Sequence, residues 1–252
     1  MNQFLPPEDK PLLSRADDLI RLAGKYGDPR FAGFLDERQQ AVLKNYFRSL
    51  RFENFCFYGG YPEAGRVFAA VWADSPPVPE SFPVQAVTFF YRKEENLSHR
   101  DFLGAMLGFQ LKKESVGDIL VSPGRTVAFL TRRAAELVKN EFSKVGRAAV
   151  SVEMGCAGEL PAARPMLAGE YVVSSRRLDC IVAAVAAKSR GAAAQFIRSS
   201  MVSVGFLPCG EISKEVADGD ILSLRGYGRY LFRGVISQTK KGRLRVGVDK
   251  YI

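Results

Sequence analysis

The sequence predicts an α+β protein in three segments: an N-terminal α/β segment over residues 1–75, a central β-α-β-β-α-β segment over 84–153, and a C-terminal segment over 174–252 with two helices before a small β-sheet. Three observations lead there. Helical and strand periodicities are both present and intermixed. Two Pro- and Gly-rich stretches interrupt them, 74–83 and 153–170. The charge is also unevenly distributed along the chain.

In the first segment, Asp9 to Gly24 and Asp28 to Leu50 carry helical spacing, the second opening at Asp28-Pro29, where proline suits a first helical position. Phe55 to Pro62 reads as an aromatic strand running into a Gly-Gly turn, and Val67 to Trp72 as a further strand. Four prolines between Asp74 and Pro83 mark the first boundary.

The central segment reads as strand Val84–Tyr91, helix Ser98–Phe109, strand Gly117–Ser122, a Pro123-Gly124 turn, strand Arg125–Leu130, helix Arg132–Phe142 and strand Ala148–Glu153. That order is the one of a ferredoxin-like plait, which RNA-recognition motifs share. Their aromatic signature on the third strand is not matched by Gly124 to Leu130. Ser98 suits an N-cap and Asp101 the first turn, with Phe102, Leu103, Met106 and Leu107 as the apolar face.

The last segment opens with a helix over Arg176–Ala187, with Leu178, Ile181, Val182 and Val185 on one face. Ser189 then caps Arg190–Arg198. Short strands follow at Val202–Phe206, Asp220–Leu224, Tyr230–Ile236 and Arg243–Val248, with a turn at Asp218-Gly219-Asp220.

Composition removes several chemistries. The longest apolar run, Cys180 to Ala187, has eight residues, short of the roughly 18 a membrane span needs. Residues 1–10 carry acids where a secretory signal wants a basic and then an apolar region, so a cytoplasmic location is expected. Cys56, Cys156, Cys180 and Cys209 lack the short paired spacing of a zinc site, and they read as reduced, buried side chains. His99 is the only histidine. Its Ser-His-Arg-Asp-Phe-Leu context superficially resembles a kinase catalytic loop, but no Gly-rich loop, Walker A loop or G-x-S-x-G elbow accompanies it. No cofactor, metal or catalytic residue is expected.

The chain carries net charge +9. Residues 174–252 hold 14 Lys/Arg and six acids, net +8, whereas residues 1–173 hold 22 and 21. A basic module on a near-neutral body is the footprint of a polyanion binder. Its bases are scattered over helices, turns and strands, unlike the single polar face of a membrane-surface helix.

Arg177-Leu-Asp179, Lys188-Ser-Arg190, Gln195-Phe-Ile-Arg198, Val202-Ser-Val204 and Gly219-Asp-Ile221, in that order, closely resemble the S4 RNA-binding domain. The pattern departs at Ser200, where Gly is usual, and at Gly205, where Asn is usual. The whole chain resembles the YlmH family of S4-domain proteins. The motifs are Tyr58-Gly-Gly-Tyr61 with Arg66 (Gly65 standing where an acid is common), Leu97 to Ala105, Val116 to Leu120, Arg225-Gly-Tyr-Gly-Arg229 and Thr239-Lys-Lys-Gly-Arg243. The resemblance implies a non-enzymatic, ribosome-associated RNA binder. Its partners would be large-subunit rRNA and tRNA, and its role the rescue of stalled translation on large subunits that carry obstructed peptidyl-tRNA. Some relatives are named for cell division or photosystem repair. Nothing in the sequence demands more than a monomer.

In S4 domains the two-helix face meets RNA. That role falls here on Arg176, Arg177, Lys188, Ser189, Arg190, Gln195 and Arg198, with the helix start at Ser189 suited to a phosphate. Asp179, acidic within that face, reads as an orienting partner for a neighbouring arginine. Arg225, Tyr227 and Arg229 mix guanidinium and aromatic groups that suit unpaired bases, and Lys240, Lys241 and Arg243 form a basic tip loop. The competing class is an S4-targeted RNA-modifying enzyme. The single Arg-Leu-Asp belongs to the S4 start, leaving none for a pseudouridine synthase site, and no methyltransferase Gly-rich loop follows a first strand. The H-x-G-H of tyrosyl-tRNA synthetases is missing as well.

Overall fold

The computed structural model describes residues 7–161 and 166–252. The chain is α+β and divides into two compact units, Met1–Ala163 and Arg164–Ile252.

In the first unit, helix α1 (Lys10–Tyr26) buries Leu13, Ala16, Leu19 and Ala23. The run expected as one helix over 28–50 is instead strand β1 (Arg30–Leu35) followed by helix α2 (Glu37–Ser49). The break falls at Asp36, whose side chain accepts the Gln39 N–H while the Gln39 side chain accepts the Asp36 N–H. This reciprocal capping box starts a helix at Asp36 and not at Asp28. β1 pairs antiparallel with β3 (Val67–Val71), which pairs with β2 (Phe55–Tyr58).

The second sheet has the order β5 (Val116–Ser122), β6 (Arg125–Thr131), β4 (Val84–Phe90), β9 (Ser151–Met154), all antiparallel. Helix α3 (His99–Gly108) joins β4 to β5, and α4 (Arg132–Glu141) follows β6. The last strand is shorter than expected, because a small hairpin of β7 (Lys144–Val145) and β8 (Ala148–Ala149) precedes it. Both helices pack on one face of this sheet around Phe89, Phe102, Met106 and Leu130. Ser98 caps α3 with Asp101, and Phe102 and Met106 are buried. Leu107, expected on that face, is 41% exposed.

The opposite face of the same sheet is covered too. Leu120, Val127 and Phe129 meet Phe34, Tyr61, Phe68 and Phe82 in one apolar cluster. Residues 1–75 and 84–153 thus share a core inside one unit, and Phe82 lies within the proline-rich stretch that separates them in sequence.

A polar staple reinforces this junction. The Asp118 carboxylate accepts the Tyr61 hydroxyl (2.7 Å), the Gly65 N–H (2.6 Å) and the Arg66 N–H (3.0 Å). The Arg66 guanidinium donates to the carbonyls of Val116 (2.9 Å), Lys113 (3.1 Å) and Phe34 (3.3 Å). Gly60, at φ 103°, passes so close to the Phe129 ring that a Cβ would run into it, which gives that glycine a packing reason. The Tyr58–Tyr61 and Val116–Leu120 motifs therefore meet in one structural constellation.

In the second unit, the sequence boundary over 153–170 lies partly outside the described residues, at 162–165. Its end is structured: β10 (Met166–Leu167) and β11 (Glu170–Val173) both pair with β16 (Leu244–Tyr251). The sheet continues through β15 (Gly228–Gln238), β14 (Ile221–Leu224), β12 (Val202–Val204) and β13 (Leu207–Pro208), antiparallel throughout. Helices α5 (Leu178–Val185) and α6 (Arg190–Arg198) are bent by 110° to each other. Their Leu178, Ile181 and Ile197 are fully buried against Val202, Leu222, Phe232 and Val246. Among the described residues no single helix is long and apolar enough to cross a membrane.

The two departures from the S4 pattern fall on left-handed backbone. Ser200 has φ 56° and Gly205 φ 58°. Such positions favour Gly or Asn, the residues the S4 pattern has there.

Candidate nucleic-acid interface

The α5–α6 corner is organised around one buried carboxylate. Asp179, in the first turn of α5, is 3% exposed. It accepts from Arg177 Nε (3.1 Å) and from Arg190 Nη2 (2.7 Å) and Nε (3.2 Å). A buried charge persists when it is paired and hydrogen-bonded. Burial pushes its carboxyl up, but the hydrogen bonds and charges of Arg177 and Arg190 outweigh this and hold it below the usual carboxylate range. Asp179 is therefore an orienting residue: one carboxylate holds two guanidinium groups that remain 44% and 57% exposed.

This pairing has a pH signature. A depressed folded pKa contributes stability that is complete above the unfolded carboxylate value and is lost as pH falls through the folded one. From about pH 5 to about pH 2, hydrogen-exchange protection factors at the α5 and α6 amides, corrected for the intrinsic exchange rate at each pH, should fall more in the wild type than in Asp179→Asn, closing the gap between them. A gap independent of pH would show that the carboxylate charge does not stabilise the corner.

The start of α5 is closed to an anion, because the Leu178 and Asp179 N–H groups donate to the carbonyls of Lys214 and Ile212. The start of α6 is different. Ser189 caps it, its Oγ accepting from Ala192 N–H (3.2 Å). Lys188, Ser189, Arg190, Gln195 and Arg198 are all exposed. Lys188 and Arg198 have no ion-pair partner among the described residues, so their charges face solvent.

Other candidates are engaged by the fold. Arg176 donates to the Val216 carbonyl (2.9 Å) and to Asp218 (2.6 Å), and its guanidinium lies 5.5 Å from the Phe232 ring centre. Arg229 lies over the Phe206 ring at 5.1 Å and is half-buried. Tyr227 packs edge-to-face on Phe196 at 5.7 Å, which joins the Arg225–Arg229 turn to α6. Arg225 is exposed, with Nη1 3.9 Å from Met201 Sδ.

Lys240, Lys241 and Arg243 are exposed in the β15–β16 tip, where Thr239 Oγ1 and the Gly242 turn (φ 77°) hold the backbone. The 11 residues of β15 separate that tip from Gly228, about 30 Å at strand rise. The tip loop and the Arg225–Arg229 turn, adjacent in the sequence argument, thus sit at opposite ends of β15.

Sequence reasoning missed Ala192, Val182 and Ala186, small apolar residues beside Tyr227 and Lys188 that leave an open recess in this corner. Nothing in their residue types distinguishes them from core. In the first unit, the sheet face that RNA-recognition motifs leave open is buried, with Val127 fully covered and Phe129 2% exposed.

Comparison with known proteins gives a consistent result. Residues 77–157 match a family model described as "Putative RNA-binding domain in YlmH". Bacillus subtilis (strain 168) "Ribosome-associated protein quality control protein P2" is 29% identical over 252 residues, 98% of this chain and 97% of that protein. The solved structure of "Cell division protein ylmH from Streptococcus pneumoniae" is similar in fold with a TM-score of 0.54 at 20% identity, covering 62% of this chain and 96% of that one. With near end-to-end similarity to one such protein, a family model over residues 77–157 and a likeness in fold to another, the chain is similar to YlmH proteins.

Proposed function

We propose that this protein is a non-enzymatic RNA-binding factor. It engages the large ribosomal subunit carrying tRNA or peptidyl-tRNA and serves in the rescue or quality control of stalled translation. Residues 174–252 act as an S4 domain, with α5 and α6 as its RNA-facing pair. Residues 84–153 act as a ferredoxin-like plait, and residues 1–75 are the lobe that covers its sheet. A ribosomal partner implies work in the cytoplasm.

The observation that carries this reading is the union of charge and geometry at the α5–α6 corner. Most of the net charge lies in the segment containing it; Lys188 and Arg190 face solvent at a capped helix start, and Gln195 and Arg198 are exposed further along the same helix. Contacts of this kind fix position on a phosphate backbone and carry little sequence choice, which suits structured RNA read by shape. Since the plait's sheet is covered, any RNA contact by residues 77–157 uses its helices, hairpins or edges. The relative named for ribosome-associated quality control supports the pathway assignment.

Co-sedimentation tests it. The protein should pellet with large subunits bearing peptidyl-tRNA at moderate salt, and less with vacant large subunits or small subunits. Equal, salt-labile retention on every RNA would overturn the ribosomal specificity and leave a generic polyanion binder.

A further inference from the structure

Between α5, α6 and the Arg225–Arg229 turn lies a recess of about 100 Å³. Val182 of α5, Ala186 just past its end, Ala192 and Phe196 of α6, and Tyr227 line it, together with the exposed Lys188. The lining is predominantly apolar. The Phe196 and Tyr227 rings are held edge-to-face at 5.7 Å, which fixes Tyr227 in place.

We propose that this recess receives a single unpaired nucleobase of the bound RNA. The proposal rests on the RNA-binding reading above and deepens it, because it specifies a ligand with an extruded or bulged nucleotide in preference to a continuous duplex. The space suits one heterocycle. Aromatic walls stack on any base face and select little sequence. The exposed Lys188 among the lining residues suits the phosphate beside such a base, and the exposed Arg190 and Arg198 on α6 suit the flanking backbone. An apolar protein side chain would gain the apolar lining but nothing from these cations.

The test uses the full chain and two RNA hairpins, identical except that one carries a single bulged 2-aminopurine. Wild-type protein should prefer the bulged hairpin by about tenfold, the lower part of the range for one stacked base, and should change the probe's fluorescence. Ala192→Leu fills the recess from an exposed helical site and introduces another strong helix former, so the fold is kept. It should bind both hairpins equally, with no fluorescence change, while Ala192→Ser behaves as wild type.

Salt-sensitive wild-type binding without bulge preference, or a preference that survives Ala192→Leu, would overturn the nucleobase site alone. Absence of salt-sensitive binding to either hairpin would overturn the RNA-binding reading itself. Weakened subunit binding by Ala192→Leu with intact bulge preference would assign the recess to a ribosomal protein side chain.

Discussion

Asp118→Ala should destabilise the first unit by about 3–5 kcal/mol, given that each buried donor left unpaired costs about 1–3 kcal/mol. Three donors lose their acceptor together: the Tyr61 hydroxyl and the Gly65 and Arg66 N–H groups. All three lie beside the shared apolar cluster, where Tyr61 stacks on Phe129 at 4.8 Å. Full additivity is not expected, because partial exposure admits water to some of them. Trp72 is the only tryptophan and follows β3, so its fluorescence during urea unfolding reports the first unit. Asp118→Asn keeps one acceptor oxygen and should recover part of the loss. A shift below about 1 kcal/mol for Asp118→Ala would be an ordinary surface effect and would remove the staple from the account of the fold.

The double variant Lys188→Glu/Arg198→Glu should lower RNA affinity about a hundredfold at moderate salt and reduce the steepness of the salt dependence. Each lost cation–phosphate contact takes about one from the logarithmic salt slope, and the new carboxylates add repulsion. Both residues are exposed and without ion-pair partners among the described residues, so circular dichroism should be unchanged. Arg190→Glu is the wrong probe, because it would set a second carboxylate against the buried Asp179 and disturb the helix corner itself. Fluorescence anisotropy with a labelled rRNA hairpin provides the measurement. A loss under about threefold would move the RNA contact away from α5 and α6, since single phosphate contacts already carry effects of that order.

The sequence disclosed the elements of residues 84–153 well, since each strand and helix there has one clear periodicity and a turn or cap at its ends. It misled over 28–50 for a definite reason. Phe31, Phe34 and Leu35 stand at i, i+3 and i+4, which suits a helix face, yet Phe34 and Leu35 are buried in a strand. The Asp36/Gln39 capping signal was available and marked the true start.

At the candidate site, the residue types and the charge concentration were legible from sequence. Which cations remain available was not. Arg176 meets Asp218 across 42 residues, and Arg229 lies over Phe206 and Tyr251. Pairings of that range depend on sheet register. The proline-rich stretch was equally deceptive, because local composition marks a loop but says nothing of Phe82 being 3% exposed in a common core.

The sheet covered on both faces also sets a timetable for the nascent chain. β3 ends at Val71 and β6 at Thr131, so 60 residues must be made before Phe34 and Phe68 meet Val127 and Phe129. At about 5–20 residues per second, those aromatic side chains wait about 3–12 s without their partner surface. Until then the early chain exposes the apolar surface that such burial would cover. A gene divided at the proline-rich stretch would make that delay permanent, yielding two fragments that each display an apolar face and aggregate unless produced together.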